Sequence, residues 1–283
     1  MADWTDGWWT SADGLRLHYR DYAGDASRPP ILCIPGLTRN ARDFEGVADR
    51  LAGTWRLICV DLRGRGESGY AKEPMSYNPL VYAQDVEALV ASLGLARFAI
   101  FGTSLGGLVA MLMAVAGRSR LAAVLLNDVG PELETAGLDH IRSYIGRPQA
   151  WPTWLHAARA LCEAQKDRYP DWSLDQWLVF AKRCCRLTAE GRVVLDYDMR
   201  IAEPLRQPAP EVDLWPMFRA LIGVPTLLVH GALSDLLSDP AIEKMRAEMP
   251  DLDVAVVPRV GHAPTLEEPE AAAGIDRLLG RIA

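Results

Sequence analysis

Six short, nearly unbroken apolar runs recur along the chain: PILCI (30–34), RLICV (56–60), RFAIF (97–101), LAAVLLN (121–127), PTLLVHG (225–231) and LDVAVVP (252–258). A strand with one wet face alternates apolar and polar residues, so runs without alternation belong to strands covered on both faces. Such strands pair in parallel, joined by helices that cross over and cover the sheet. The intervening segments RDFEGVADRLAG, PLVYAQDVEALVASLG and LGGLVAMLMAVAG carry helical spacing, the last apolar enough to be buried. One early stretch differs: LRLHYRDY (15–22) alternates, follows the turn SADG, and is expected to pair antiparallel with GWWT. These signals predict an open α/β sheet of about eight strands, mostly parallel and flanked by helices. Its functional groups should sit at the carboxyl ends of the strands.

From Pro131 to about Trp215 the rhythm stops, and helical patterns rich in Trp and Tyr take over (WPTWLHAARALCEAQKDRY, LDQWLVFAKRCCRL). The expected organisation is a core over 1–130, an inserted helical subdomain over 131–215, and the rest of the core over 216–283. The Pro-rich PLRQPAPEVDLWP is the expected hinge back to the sheet. With 49% hydrophobic and 24% charged residues the composition is that of a packed globular body. A formal net charge of −7 argues against a nucleic-acid groove, which needs clustered Lys and Arg. The first residues, MADWTDGWWTSADG, hold no basic start and no apolar core of a leader. No stretch approaches the ~18 apolar residues of a membrane span, so a cytoplasmic protein without a membrane partner is expected. Five cysteines are an odd number for a disulfide framework, and the vicinal Cys184 and Cys185 lack C-x-x-C spacing.

The stretch FGTSLGGL (101–108) puts Ser104 between Gly102 and Gly106, directly after a buried-strand run and directly before a buried helix. Such a tight strand-to-helix turn exposes a serine oxygen, and the glycines remove Cβ atoms that would clash. A serine hydroxyl needs a base, and the base needs a carboxylate to fix its tautomer. Of five histidines, only His262 lies in a late loop after a buried run, in VVPRVGHAP. His18 lies on the early alternating strand, His140 and His156 in the insertion, and His230 at the end of an apolar strand as a core imidazole. The expected acid is Asp235 in HGALSDLLS, one strand before the His262 loop; Asp128 in LNDVGP, at the end of the preceding strand, is the alternative. Oxyanion donors are expected from the backbone N–H of Leu105, after the nucleophile, and of Leu37 in PGLTRN. GRGESG (64–69) fits a dinucleotide fingerprint, but Pro74 and Pro79 follow where a helix should open. No metal motif occurs, and no cofactor is expected.

Taken together, PGLTRN, DLRGRGES, GTSLGG, GALSD and GHAP, in this order, resemble the α/β-hydrolase fold family. The resemblance is to its capped branch, with epoxide hydrolases, ring-cleavage-product hydrolases, lactonases and carboxylesterases. It covers nearly the whole chain. Pro35-Gly36 stands where many relatives carry His-Gly, Ser104 replaces the aspartate of epoxide hydrolases, and Thr103 replaces the Asn common in ring-cleavage-product hydrolases. The resemblance implies a serine hydrolase acting through an acyl-enzyme on small or medium apolar carboxylic esters. The alternatives are lactone or C–C bond cleavage by the same residues, and a non-catalytic ligand binder. It makes 131–215 a cap, whose Trp151, Trp154 and Trp177 are expected to line the substrate pocket. Arg39 and Arg42, beside the oxyanion loop, are read as solvated arginines or, alternatively, as readers of a substrate carboxylate.

Overall fold

The computed structural model describes residues 1–207 and 212–283; residues 208–211, part of the expected hinge, lie outside the described residues. The first half runs β1 (Thr5–Thr10), β2 (Arg16–Tyr22), β3 (Ile31–Ile34), α1 (Glu45–Leu51), β4 (Leu57–Asp61), α2 (Pro79–Ser92), β5 (Phe98–Thr103), α3 (Leu105–Gly117) and β6 (Leu121–Asn127). Then come α4 (Thr135–Tyr144), β7 (Ala150–Trp151), α5 (Trp154–Gln165), α6 (Leu174–Cys184), β8 (Cys185–Leu187), β9 (Val193–Leu195), α7 (Ala202–Leu205) and α8 (Trp215–Arg219). The chain closes with β10 (Thr226–Gly231), α9 (Asp239–Glu248), β11 (Asp253–Val257) and α10 (Pro269–Gly280).

Eight strands form one sheet in the order β1-β2-β4-β3-β5-β6-β10-β11. β2 runs antiparallel to both neighbours, with Trp8 opposite His18 as the hairpin expectation requires, and the remaining pairs are parallel. Every residue of β3, β4, β6 and β10 is buried, the physical reason their sequences show no alternation. Successive side chains still point to opposite faces. Leu32, Ile34, Ile58 and Val60 pack with α2 and α3, whereas Ile31, Cys33, Leu57 and Cys59 pack with α1 and α10. Local signals agree with this frame: Asn78 Oδ1 accepts the Val81 N–H at 3.1 Å to start α2, and Pro79 follows it at the first helical position.

Between β6 and β10 the helices α5 and α6 form where their quoted patterns lie, preceded by α4. Three short strands, β7, β9 and β8, add an antiparallel sheet that the sequence reading did not anticipate. They are two or three residues long, too short to show a period of two. This segment is tied to the core through the Gly66 N–H to the Asp196 carbonyl (3.3 Å) and the Asp198 N–H to the Gly64 carbonyl (2.8 Å). GRGESG is therefore a docking turn beneath the insertion, not the start of a helix. All five cysteines are free. Among the described residues, no helix is long and apolar enough to cross a membrane.

Candidate active site

Ser104 occupies the turn between β5 and α3 with φ 51° and ψ −112°, a left-handed backbone that costs on the order of 1–3 kcal/mol. Its neighbours show why glycine flanks it. A Cβ on Gly106 would fall 2.0 Å from the Ile34 carbonyl oxygen, and one on Gly102 would fall 2.5 Å from the backbone of Gly106. The Ser104 N–H is held by the Asn127 carbonyl at 2.9 Å, and the turn presents the hydroxyl above the carboxyl edge of the sheet.

His262 arrives on the loop after β11. Its Nε2 lies 2.9 Å from Ser104 Oγ and its Nδ1 lies 2.7 Å from Asp128 Oδ2. An ionised carboxylate only accepts, so Nδ1 carries the proton and Nε2 accepts from the Ser104 hydroxyl. Asn127, absent from the sequence expectations, braces the loop: its amide donates to the Pro264 carbonyl at 2.8 Å and to Thr103 Oγ1 at 3.1 Å. Nothing in the one-dimensional pattern singles it out, because its partners are 137 and 24 residues away.

The carboxylate beside His262 is Asp128, and the expectation for Asp235 is corrected. Asp128 is fully buried and accepts four hydrogen bonds: Oδ1 from His230 Nδ1 (2.9 Å) and the Gly231 N–H (3.1 Å), Oδ2 from the Ser234 hydroxyl (2.6 Å) and His262. Burial alone pushes its carboxyl up, but the hydrogen bonds from His230 and His262, the positive charge of the imidazolium form of His262 and the Ser234 hydroxyl together hold it at about 2. Asp235 instead receives Arg168 Nη2 on both oxygens (3.1 and 2.8 Å), with His140 Nδ1 at 3.3 Å. The reason is the turn after β10. The Ser234 N–H bonds the Gly231 carbonyl (2.8 Å), which sends the Ser234 side chain inward to Asp128 and leaves Asp235 facing outward. His230 is the buried, satisfied imidazole the sequence suggested, and its partner is this same carboxylate.

Leu105 opens α3, so its N–H has no intrahelical acceptor. The Leu37 N–H donates to no group among the described residues. Leu37 stands beside Gly36, where a Cβ would sit 3.8 Å from Ser104 Cβ. The Leu37 carbonyl is gripped by the fully buried Arg65, through Nε at 2.9 Å and Nη2 at 2.7 Å. Arg65 Nη1 adds the Arg63 carbonyl (2.7 Å) and the Tyr82 hydroxyl (2.9 Å), with no carboxylate among these partners. Arg65→Met should free the loop and leave the half-buried Leu37 carbonyl without its donors. The expected result is a kcat lower by about 100-fold with KM little changed, and a protein less stable by about 1–3 kcal/mol. Steady-state kinetics beside a thermal melt check both.

Ser104 and His262 open into a cavity of about 870 Å³ between the sheet edge and the 131–215 segment. None of Trp151, Trp154 and Trp177 lines it, a second correction. Tyr169, Trp172 and Phe180 do. Helical spacing explains the swap: Gln176, Val179, Phe180 and Arg183 share the cavity face of α6, while Trp177 and Ala181 turn into the packing, Trp177 being edge-on to Trp172 at 4.8 Å. Arg39 and Arg42 are also not solvated. Arg39 pairs with Asp43 through Nε at 2.8 Å and lies over Phe180 at 4.1 Å, and Arg42 pairs with Asp196. Among the described residues, no group of three or more His, Cys, Asp or Glu is placed to hold a metal ion.

The sequence profile of the alpha/beta hydrolase family matches residues 31–275. The chain belongs to this family. The eight-stranded, mostly parallel sheet with its flanking helices is accordingly the alpha/beta hydrolase fold, and the chain is a hydrolase. It is 34% identical to the 3-hydroxybutyrate-oligomer hydrolase of Cupriavidus necator over 90% of this chain and 89% of that one. It is 29% identical to the 2-(acetamidomethylene)succinate hydrolase of Mesorhizobium japonicum over 86% and 85% of the two chains. The crystal structure of an alpha/beta hydrolase from Novosphingobium aromaticivorans superposes with a TM-score of 0.96 at 55% identity, covering all of both chains.

Proposed function

We propose that this alpha/beta hydrolase cleaves carboxylic esters through an acyl-enzyme on Ser104. The observation that carries the reading is the unbroken chain Asp128, His262, Ser104, with links of 2.7 and 2.9 Å, opening into the cavity. His262 Nε2 takes the hydroxyl proton as Ser104 Oγ bonds to the ester carbonyl carbon, and the Leu37 and Leu105 N–H groups receive the oxyanion. When the tetrahedral intermediate collapses, the C–O bond to the alcohol breaks and His262 returns the proton to the leaving oxygen. A water then gives a proton to His262 and attacks the acyl carbon; the bond from that carbon to Ser104 Oγ breaks, His262 passes the proton to Oγ, and the acid leaves. Asp128 stays ionised throughout, steadying the imidazolium. The 131–215 segment acts as the cap that roofs this cavity and excludes long polymers.

The name of the Cupriavidus relative, a 3-hydroxybutyrate-oligomer hydrolase, supports compact esters of hydroxy acids as the substrates of this chain. A second reading, cleavage of a lactone or of a C–C bond by the same residues, draws on the Mesorhizobium relative, whose name is not that of an ester hydrolase. Labelling with a fluorophosphonate tests the nucleophile: the intact protein should gain one adduct, located by peptide mapping at Ser104. A protein that never reacts refutes the reading. A side-by-side panel of p-nitrophenyl esters, acyl lactones and vinylogous β-diketones separates the two substrate readings by relative kcat/KM.

A further inference from the structure

The cavity that Ser104 opens into contains four arginines, and they are not equivalent. Arg39 is spent on Asp43, and Arg183 on Glu267 at 2.5 Å and Glu45 at 3.7 Å. Arg168 differs. It sits in the turn between α5 and α6 with its side chain only 8% exposed, and its carbonyl accepts the N–H of Gly261, the residue before His262, at 2.7 Å. A Cβ on Gly261 would come within 3.0 Å of Arg168 Cβ, so the arginine is packed directly on the His262 loop.

Among the described residues, the hydrogen bonds of its guanidinium to acids run from Nη2 to Asp235; Nε is buried without a hydrogen-bond partner, as is Arg183 Nε, but the latter faces the Glu45 carboxylate at 3.7 Å. Asp235 does not line the cavity, so it holds the guanidinium from behind and leaves the charge facing inward. His140, which does line the cavity, is kept neutral: burial first, then the Arg168 charge, lowers its pKa. Arg147, exposed on the loop after α4, lines the same region and has no ion-pair partner among the described residues. Of the acids at the wall, Asp43 and Glu267 are paired, Glu268 is tied through Oε1 to the Thr265 N–H and hydroxyl at 2.8 and 2.9 Å with Oε2 buried and unpartnered, and Asp175, on α6, has no ion-pair partner among the described residues. A buried cation with an unmet Nε donor, packed on the His262 loop and backed by a carboxylate outside the cavity, is a fitting receptor for an anion.

The geometry points to Arg168, with Arg147 near the rim, as a carboxylate-binding site that selects esters carrying a free acid group. This deepens the ester reading and rests on it. The test uses two matched pairs: mono-4-nitrophenyl adipate against 4-nitrophenyl hexanoate, and 4-acetoxybutanoate against 4-acetoxybutanamide. These place the acid on the acyl and the alcohol side in turn. In at least one pair the wild type should favour the acid-bearing ester by about 10- to 100-fold in kcat/KM. Arg168→Gln should bring that ratio close to one, with Arg168→Lys in between and Arg147→Gln giving a smaller loss. Equal rates within both pairs, in wild type and Arg168→Gln alike, overturn the site while ester hydrolysis stands. A wild type that cleaves no ester refutes the ester reading instead. The site is then read by thermal shift on the wild type, where stabilisation by hexanoate beyond that by hexanamide supports it and equal shifts overturn it. That measurement also serves should Arg168→Gln fail to fold.

Discussion

Replacing Ser104 by Ala lowers kcat toward a hydrolysed ester by roughly a million-fold, and His262→Ala does the same. The two losses do not add. With the 2.9 Å link between Oγ and Nε2 broken from either side, no oxygen nucleophile of comparable reactivity remains, so the double variant should be as slow as either single one. Steady-state rates for the three variants, with residual turnover checked against trace wild type by fluorophosphonate titration, measure this. A double variant slower than both singles by a further large factor would mean that the two side chains act in separate steps. Substrate binding should survive in all three, since KM draws on the cavity wall rather than on the hydroxyl.

Asp128→Asn lowers kcat by about 10⁴-fold, whereas Asp235→Asn costs less than about tenfold. The asparagine amide would donate to His262 Nδ1, which forces the proton onto Nε2, and an Nε2 that carries hydrogen cannot accept from Ser104. Asp235 touches Arg168 and His140, not the base, so its loss leaves the tautomer unchanged. Equal losses for the two variants, or a larger one for Asp235→Asn, would refute the assignment of the acid. Stability carries a second signature. The Asp128 carboxyl titrates near 2 in the folded protein, below its ordinary 3.8. A depressed carboxyl stabilises the fold above the unfolded value, and the contribution is lost as pH falls through the folded value. The gap corresponds to on the order of 2 kcal/mol. Denaturant midpoints of the wild type should therefore hold steady against Asp128→Asn above about pH 5 and converge on it between pH 4 and pH 2.

The identity of the central strands could be read directly from the residues, because a strand buried on both faces has no wet side to satisfy and writes its burial as an unbroken apolar run. The serine turn was equally legible. Gly102 and Gly106 answer close approaches of neighbouring backbone, and that constraint is local enough to leave a spacing in the chain. His262 followed from chain order alone, as a histidine in a loop behind the last apolar run, which forms the edge strand β11. The choice of carboxylate was not legible, since Asp128 and Asp235 both stand after strands that bring them to the same edge of the sheet. A turn of four residues, held by the Ser234 N–H and hydroxyl, rotates one of them away. The cavity wall was misread for the same reason: helical spacing says which residues of α6 share a face, but only packing against α5 says which face meets the cavity. Arg65 and Arg168 work through carbonyls and loops distant in the chain, at Leu37 and Gly261, and such pairings exist only once the sheet has brought its loops together. Local backbone sterics and burial pattern are properties of a segment and can be read there; the partner of a buried charge is a property of three-dimensional proximity and cannot.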